Sequence, residues 1–272
     1  MSNVAASISI LGGSSRFVSA LPQHAIADAF VRQMRGFKVD VDHVLRREAG
    51  RFGIYYVETG ANQRPSRVIY DRDYSAVSMC SGEEYDWDAI FADAQWLHIS
   101  GITLAISETA THAAILAAEK AQAAGVKVSC DLNFRKNLWR WRSGSDARSL
   151  ARSIMPDFLE NVNVIIGNEE DAADVLDIHA GDTDVHSGSL EIAHYPDVAR
   201  QIAQRFNNVD QVAITLRESI SATHNNWGAM LFDVCSDTAV FAPMNGKQYE
   251  PYEIRNIVCL LYTSDAADDV VG

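Results

Sequence analysis

From Asp93 onward, short apolar or β-branched runs alternate with amphipathic stretches of helical period, a pattern that few architectures satisfy besides a mainly parallel sheet crossed by helices. Residues 96–100 read as a strand that stops at Gly101. A helix is expected to follow from Ser107, a good N-cap, to Gly125, which can adopt a left-handed helix end without a Cβ clash. The alternation goes on with a strand at 126–130, a helix at 150–159, a strand at 162–166 and a helix opened by Asn168. A polar loop at 179–192 interrupts it before a helix at 196–206 and a strand at 211–216.

Upstream the pattern differs. Residues 51–58 and 67–74 read as two strands outside the parallel sheet, separated by a loop, and a helix is expected across 24–36. A chain of 272 residues can bury one large core, so a single α/β domain with a small appendage is expected. No apolar run approaches the roughly 20 residues needed to span a bilayer. The net charge of -13 repels phosphate backbones and anionic lipid, and no basic block offsets it, so neither nucleic acid nor membrane is expected as a partner. An anionic small molecule is still compatible with it, because a few arginines in a cleft reverse the local potential.

Cys80, Cys130, Cys235 and Cys259 stand singly, which indicates neither a zinc site nor a disulfide framework. The eight histidines show no metal-ligand spacing with one another or with cysteine. Reduced thiols and the lack of a charged, apolar leader at residues 1–10 set the expected location as the cytoplasm.

Several ordered motifs carry a resemblance. Gly53-Ile54-Tyr55-Tyr56-Val57-Glu58 is followed by Arg67-Val68-Ile69-Tyr70-Asp71-Arg72; Asp131-Leu132-Asn133-Phe134-Arg135 comes directly after an expected strand; Gly167-Asn168-Glu169-Glu170-Asp171 opens a helix; Ala213-Ile214-Thr215-Leu216-Arg217-Glu218-Ser219 covers the end of the last strand and the loop after it. Together they resemble the ribokinase-like (PfkB) carbohydrate kinases, and among these the 2-keto-3-deoxygluconate kinases, over nearly all of residues 3–258. The resemblance implies a three-layer α/β/α fold with a mainly parallel sheet and a small β lid. It implies ATP and Mg²⁺ as cofactors and a sugar acid as substrate.

By position in the family's motifs, Tyr55, Tyr70, Arg72 and Arg135 would contact the sugar acid. Tyrosine hydroxyls can bond sugar hydroxyls and a guanidinium suits a carboxylate. Asn133, Arg135, Asn168, Thr215 and Arg217 would meet the nucleotide, and Glu170 with Asp171 would hold Mg²⁺, in part through its waters. Two features depart from the pattern: Asp171 stands where relatives have Glu, and Arg217 where most have Gly. Packing alone accounts for alternating aromatics in strands, and the helix dipole for acidic residues in a first turn, so the ordered set outweighs any one motif.

The family's next motif, a G-x-G-D stretch that supplies an anion hole and a catalytic base, does not occur in this sequence. Residues 259–272 instead resemble an in-frame translation of a sequencing adapter, so residues 1–258 are expected to form an incomplete kinase domain without turnover of its own. The competing readings are a fructokinase or another PfkB sugar kinase, and a noncatalytic module that binds sugar acid or nucleotide. A nicotinamide-dependent dehydrogenase is disfavoured because no G-x-G-x-x-G joins an early strand to a helix. A homo-oligomer assembled through the lid is the expectation for the complete protein.

Overall fold

The computed structural model describes residues 1–60, 64, 67–179, 192–221 and 224–255. Residues 259–272 and most of the polar loop at 179–192 lie outside them. Helix α1 spans Ser2–Ile10, and strand β1 (Ser19–Pro22) follows. Helix α2 (Ala25–Gly36) is capped by His24, whose ring nitrogen accepts the Ala27 N–H. Strand β2 (Val44–Arg47) then pairs in parallel with β1. Ala27, Val31, Met34, Val39, Val41 and Val44 form a small core of their own around this unit.

Strands β3 (Ile54–Glu58) and β4 (Arg67–Asp71) form an antiparallel ribbon separate from the other sheets. Helix α3 (Trp87–Phe91) leads into the main sheet, in which β5 (Trp96–Ser100), β6 (Lys127–Asp131), β7 (Val164–Gly167) and β8 (Gln211–Ser221) run parallel in that spatial order. Between them lie α4 (Gly101–Ala105), α5 (Glu108–Ala123), α6 (Ala147–Leu159), α7 (Glu169–Leu176) and α8 (Tyr195–Arg205). Strand order that advances steadily, with right-handed crossovers, puts these helices on one face. The contacts of α5 with α6, α6 with α7 and α7 with α8 follow from that.

Beyond β8 the sheet turns antiparallel. Strand β9 (His224–Asp233) pairs with β8 along its length, and its outer edge takes β10 (Thr238–Ala242) and, after the small ribbon of β11 (Met244–Asn245) and β12 (Gln248–Tyr249), β13 (Tyr252–Arg255). The sheet is thus mixed, with the parallel half where the alternation predicts it. Trp139, Phe158, Phe206, Phe232, Leu132 and Leu150 are among the largest fully buried side chains and join the two halves in one core. Among the described residues no helix is long and apolar enough to cross a membrane.

Among the described residues strand β5 is the last strand of its sheet, and a cavity of about 670 Å³ lies between it and the first segment of the chain, lined by Val4, Ile8, Phe17, Trp96, His98 and Ala114 among others.

Candidate functional site

A parallel strand delivers its C-terminal end, and the loop after it, to one edge of the sheet, the usual place of a ligand crevice in an open α/β fold. Here four successive ends are joined by hydrogen bonds. Ser100 closes β5, and its hydroxyl oxygen accepts both the Ile102 N–H at 3.4 Å, capping α4, and the Asn133 amide at 3.1 Å. Asn133 follows β6 with φ of 41°, a left-handed conformation that asparagine tolerates better than most side chains. The next residue, Phe134, donates its backbone N–H to Asp171 Oδ1 at 2.8 Å. The other Asp171 oxygen accepts the Asn168 N–H at 3.2 Å, while Asn168 Oδ1 accepts the Asp171 N–H at 2.7 Å, a reciprocal cap on α7. Thr215 on β8 donates to the Gly167 carbonyl at 3.4 Å.

The structure thus brings Asn133, Arg135, Asn168, Asp171 and Thr215 to one edge. Arg135 is only 7% exposed, and its Nη1 donates to the Phe134 carbonyl at 2.9 Å. Asp171 is equally buried, and both its oxygens accept backbone N–H groups, whereas Glu170 is exposed. No group of three potential metal ligands occurs among the described residues. That donor set fits a Mg²⁺ that keeps most of its waters and arrives with phosphate, and does not fit an all-protein cage. Cys130, the last residue but one of β6, is fully buried, and burial together with the Asp131 and Asp171 charges pushes its thiol well up.

The ribbon assembles the other predicted set. Tyr55 and Tyr70 are directly opposed across β3 and β4, with ring centroids 6.5 Å apart. The Arg72 guanidinium lies 5.4 Å from the Tyr55 ring centre and 5.1 Å from that of Tyr70, within cation–π range of both. Period-two alternation puts Tyr56 and Ile69, 56% and 51% exposed, on the opposite face. Arg140 Nη2 contacts both Asp73 oxygens at 2.8 and 2.7 Å, tying the base of the ribbon to the segment after β6.

One expectation is corrected. The sequence ends the last parallel strand at Leu216 and gives Arg217 to a loop, but β8 continues to Ser221 because β9 supplies an antiparallel partner for Arg217, Glu218 and Ser219. Two residues of the strand ends, and one buried beside the β8 arm, were not singled out from sequence. Ser100 and Gly101 stand where the first parallel strand ends, which is itself the signal that could have found them. A Cβ on Gly101 would lie 2.0 Å from the Leu132 carbonyl oxygen, so only glycine lets the turns after β5 and β6 approach so closely. Asn225, fully buried opposite Ser219, carries no local signal at all.

A strand-helix alternation whose parallel strand ends are joined by polar side chains, with a small β ribbon tied to the segment after β6, is the α/β fold of the ribokinase-like class. The chain belongs to the pfkB family of carbohydrate kinases, whose family model matches residues 1–216. It is similar to 2-dehydro-3-deoxygalactonokinase of Haloferax volcanii, with 36% identity over 177 residues covering 65% of this chain and 53% of the relative. It is also similar to 2-dehydro-3-deoxygluconokinase of Thermoproteus tenax, with 30% identity over 149 residues covering 54% of this chain and 43% of the relative. The crystal structure of 2-dehydro-3-deoxygluconokinase from Thermotoga maritima superposes with a TM-score of 0.80 at 37% identity, covering 93% of this chain and 71% of that one. The chain spans about half the length of the curated relatives it matches.

Proposed function

We propose that the protein to which these residues belong transfers the γ-phosphoryl group of ATP to a hydroxyl of a 2-keto-3-deoxy sugar acid, with 2-keto-3-deoxygluconate as substrate and its 6-phosphate as product. The observation that carries this reading is the hydrogen-bonded series Ser100–Asn133, Phe134–Asp171 and Thr215–Gly167, which ties four strand ends together along the sheet edge where open α/β folds bind ligands. A preorganised crevice suits phosphoryl transfer, in which the protein mainly positions groups and balances charge.

In this reading Tyr55, Tyr70 and Arg72 cover the sugar acid from the ribbon and Arg135 offers its charge to carboxylate and phosphate. Asn168, Thr215 and Arg217 line the nucleotide side. Asn133 and Asp171 also hold the loop that carries Arg135, as their bonds to Ser100 and Phe134 suggest. Magnesium, bound through its waters beside Glu170 and Asp171, would neutralise phosphate charge. The exposed Tyr56 and Ile69 support a contact between two copies through the ribbon.

The test is a coupled ADP-release assay with 2-keto-3-deoxygluconate, its galactonate epimer and fructose. It is run on this chain and on one continued through a G-x-G-D stretch. Turnover of the sugar acids by the continued chain alone is expected, with a loss of about 100-fold for Arg135→Gln, since positioning and charge are removed together. Preference for fructose would overturn the acid assignment, and turnover by this chain would show that another group serves as the base.

A further inference from the structure

Strand β8 pairs with β7 only as far as Ile214, the partner of Gly167. Residues 215–221 therefore run past the end of β7, roughly 20 Å of extended chain at the usual rise per residue, with β9 as their neighbour. Along this arm Thr215, Arg217 and Ser219 share a face by period-two alternation, and the residues opposite the last two are Trp227 and Asn225.

The side chains of Arg217, Ser219, Asn225 and Trp227 interlock. Asn225 Oδ1 accepts from Arg217 Nε at 3.2 Å and from the Ser219 hydroxyl at 2.9 Å. Arg217 Nη2 donates to Ser219 Oγ at 3.0 Å, and the guanidinium lies 5.6 Å from the Trp227 ring centre. A guanidinium can only donate, so Arg217 fixes which end of the Asn225 amide faces it. Nδ2 is left inside the hairpin with no hydrogen-bond partner among the described residues, on a side chain that is 0% exposed. For stability alone this is a poor choice, because a buried donor without a partner is unfavourable where an apolar side chain would not be. Its gain is the fixed direction of Arg217, held on three sides just beyond the crevice.

We infer that Asn225 is a positioning residue which aims Arg217 as a grip for the phosphate chain of the nucleotide. The inference rests on the kinase reading and extends it to a residue outside the four strand ends.

The experiment is a calorimetric titration of this chain with inorganic tripolyphosphate, with 2-keto-3-deoxygluconate as a second ligand. Arg217→Gln and Asn225→Ala are each expected to weaken tripolyphosphate about ten-fold, the size of one charge-assisted contact, and the double variant no further, because one side chain acts through the other. Affinity for the sugar acid stays the same. Asn225→Asp keeps the acceptor and the shape but pairs the guanidinium with a charge, so it too should lose tripolyphosphate and keep the sugar acid; it decides the matter if the alanine variant does not fold. Losses that add in the double variant, equal loss of both ligands, or no tripolyphosphate binding by the unaltered chain would each overturn the inference. The kinase reading is judged separately by turnover of the sugar acids, so the two can fail independently.

Discussion

Asp171 uses one carboxylate to cap its own helix and to hold a loop 37 residues away, through the N–H groups of Asn168 and Phe134. Asp171→Ala leaves two backbone donors without their partner, and an unsatisfied buried group costs about 1–3 kcal/mol. Urea unfolding at neutral pH should show a loss of that size, and Asp171→Asn, with one acceptor oxygen in place of two, a smaller one. Gly101→Ala acts at the same place by a different cause. Its Cβ would meet the Leu132 carbonyl oxygen at 2.0 Å, and backbone on both sides leaves little room to yield. Displacement of the segment carrying Asn133 and Arg135 is expected, seen as loss of sugar-acid binding in calorimetry while the far-ultraviolet circular dichroism of the sheet is kept.

The ribbon of β3 and β4 is an element that can be tested by itself. Arg72 lies within reach of both Tyr55 and Tyr70, and Arg72→Met keeps an unbranched side chain there while removing the charge. In the continued chain KM for the sugar acid should rise about ten-fold with KM for ATP unchanged, as for loss of one charge-assisted bond. Equal changes in both constants would assign Arg72 to architecture instead. Elements of this kind were legible in the sequence where the local pattern and the tertiary role agree. Strands β5 to β8 are β-branched or apolar runs that stop at Gly101, Asp131, Gly167 and the start of the β8 arm, and Ser107 and Asn168 both act as N-caps. Strands β1 and β2 were missed, since Ser-Ala-Leu-Pro and Val-Leu-Arg-Arg are four residues each, one with a proline and one half charged. The end of β8 was misplaced because its continuation depends on β9. Of the site, residues adjacent to a strand end could be read. Ser100 meets Asn133 across 33 positions, and Asn225 gains its meaning only from pairing with Ser219.

For the molecule as a whole, acidity should be destabilising in a window that His98 helps to define. His98 packs beside Ser129, with Nδ1 2.8 Å from the hydroxyl that also accepts the Trp96 indole N–H at 2.7 Å. Burial lowers its proton affinity below the ordinary value of 6.5. The folded state then binds fewer protons than the unfolded chain, so stability is full above pH 6.5 and declines as the pH falls through it, until the folded imidazole also titrates. Midpoints of urea unfolding at pH 7.5 and 5.5 should differ less in His98→Gln than in the unaltered chain. An equal difference in both would assign the decline to carboxylates.

The burial of Cys130 gives the molecule a clock. Cys80 and Cys130 are fully enclosed and Cys235 is exposed, so an alkylating reagent meets Cys235 at once and the other two only when the structure opens. Because Cys130 is next to Asp131, at the start of the segment that carries Asn133 and Arg135, its alkylation rate, resolved from the other thiols by peptide mass, counts how often strand β6 comes apart from its neighbours. Ligands that close the crevice would slow that clock, which makes occupancy readable without any turnover.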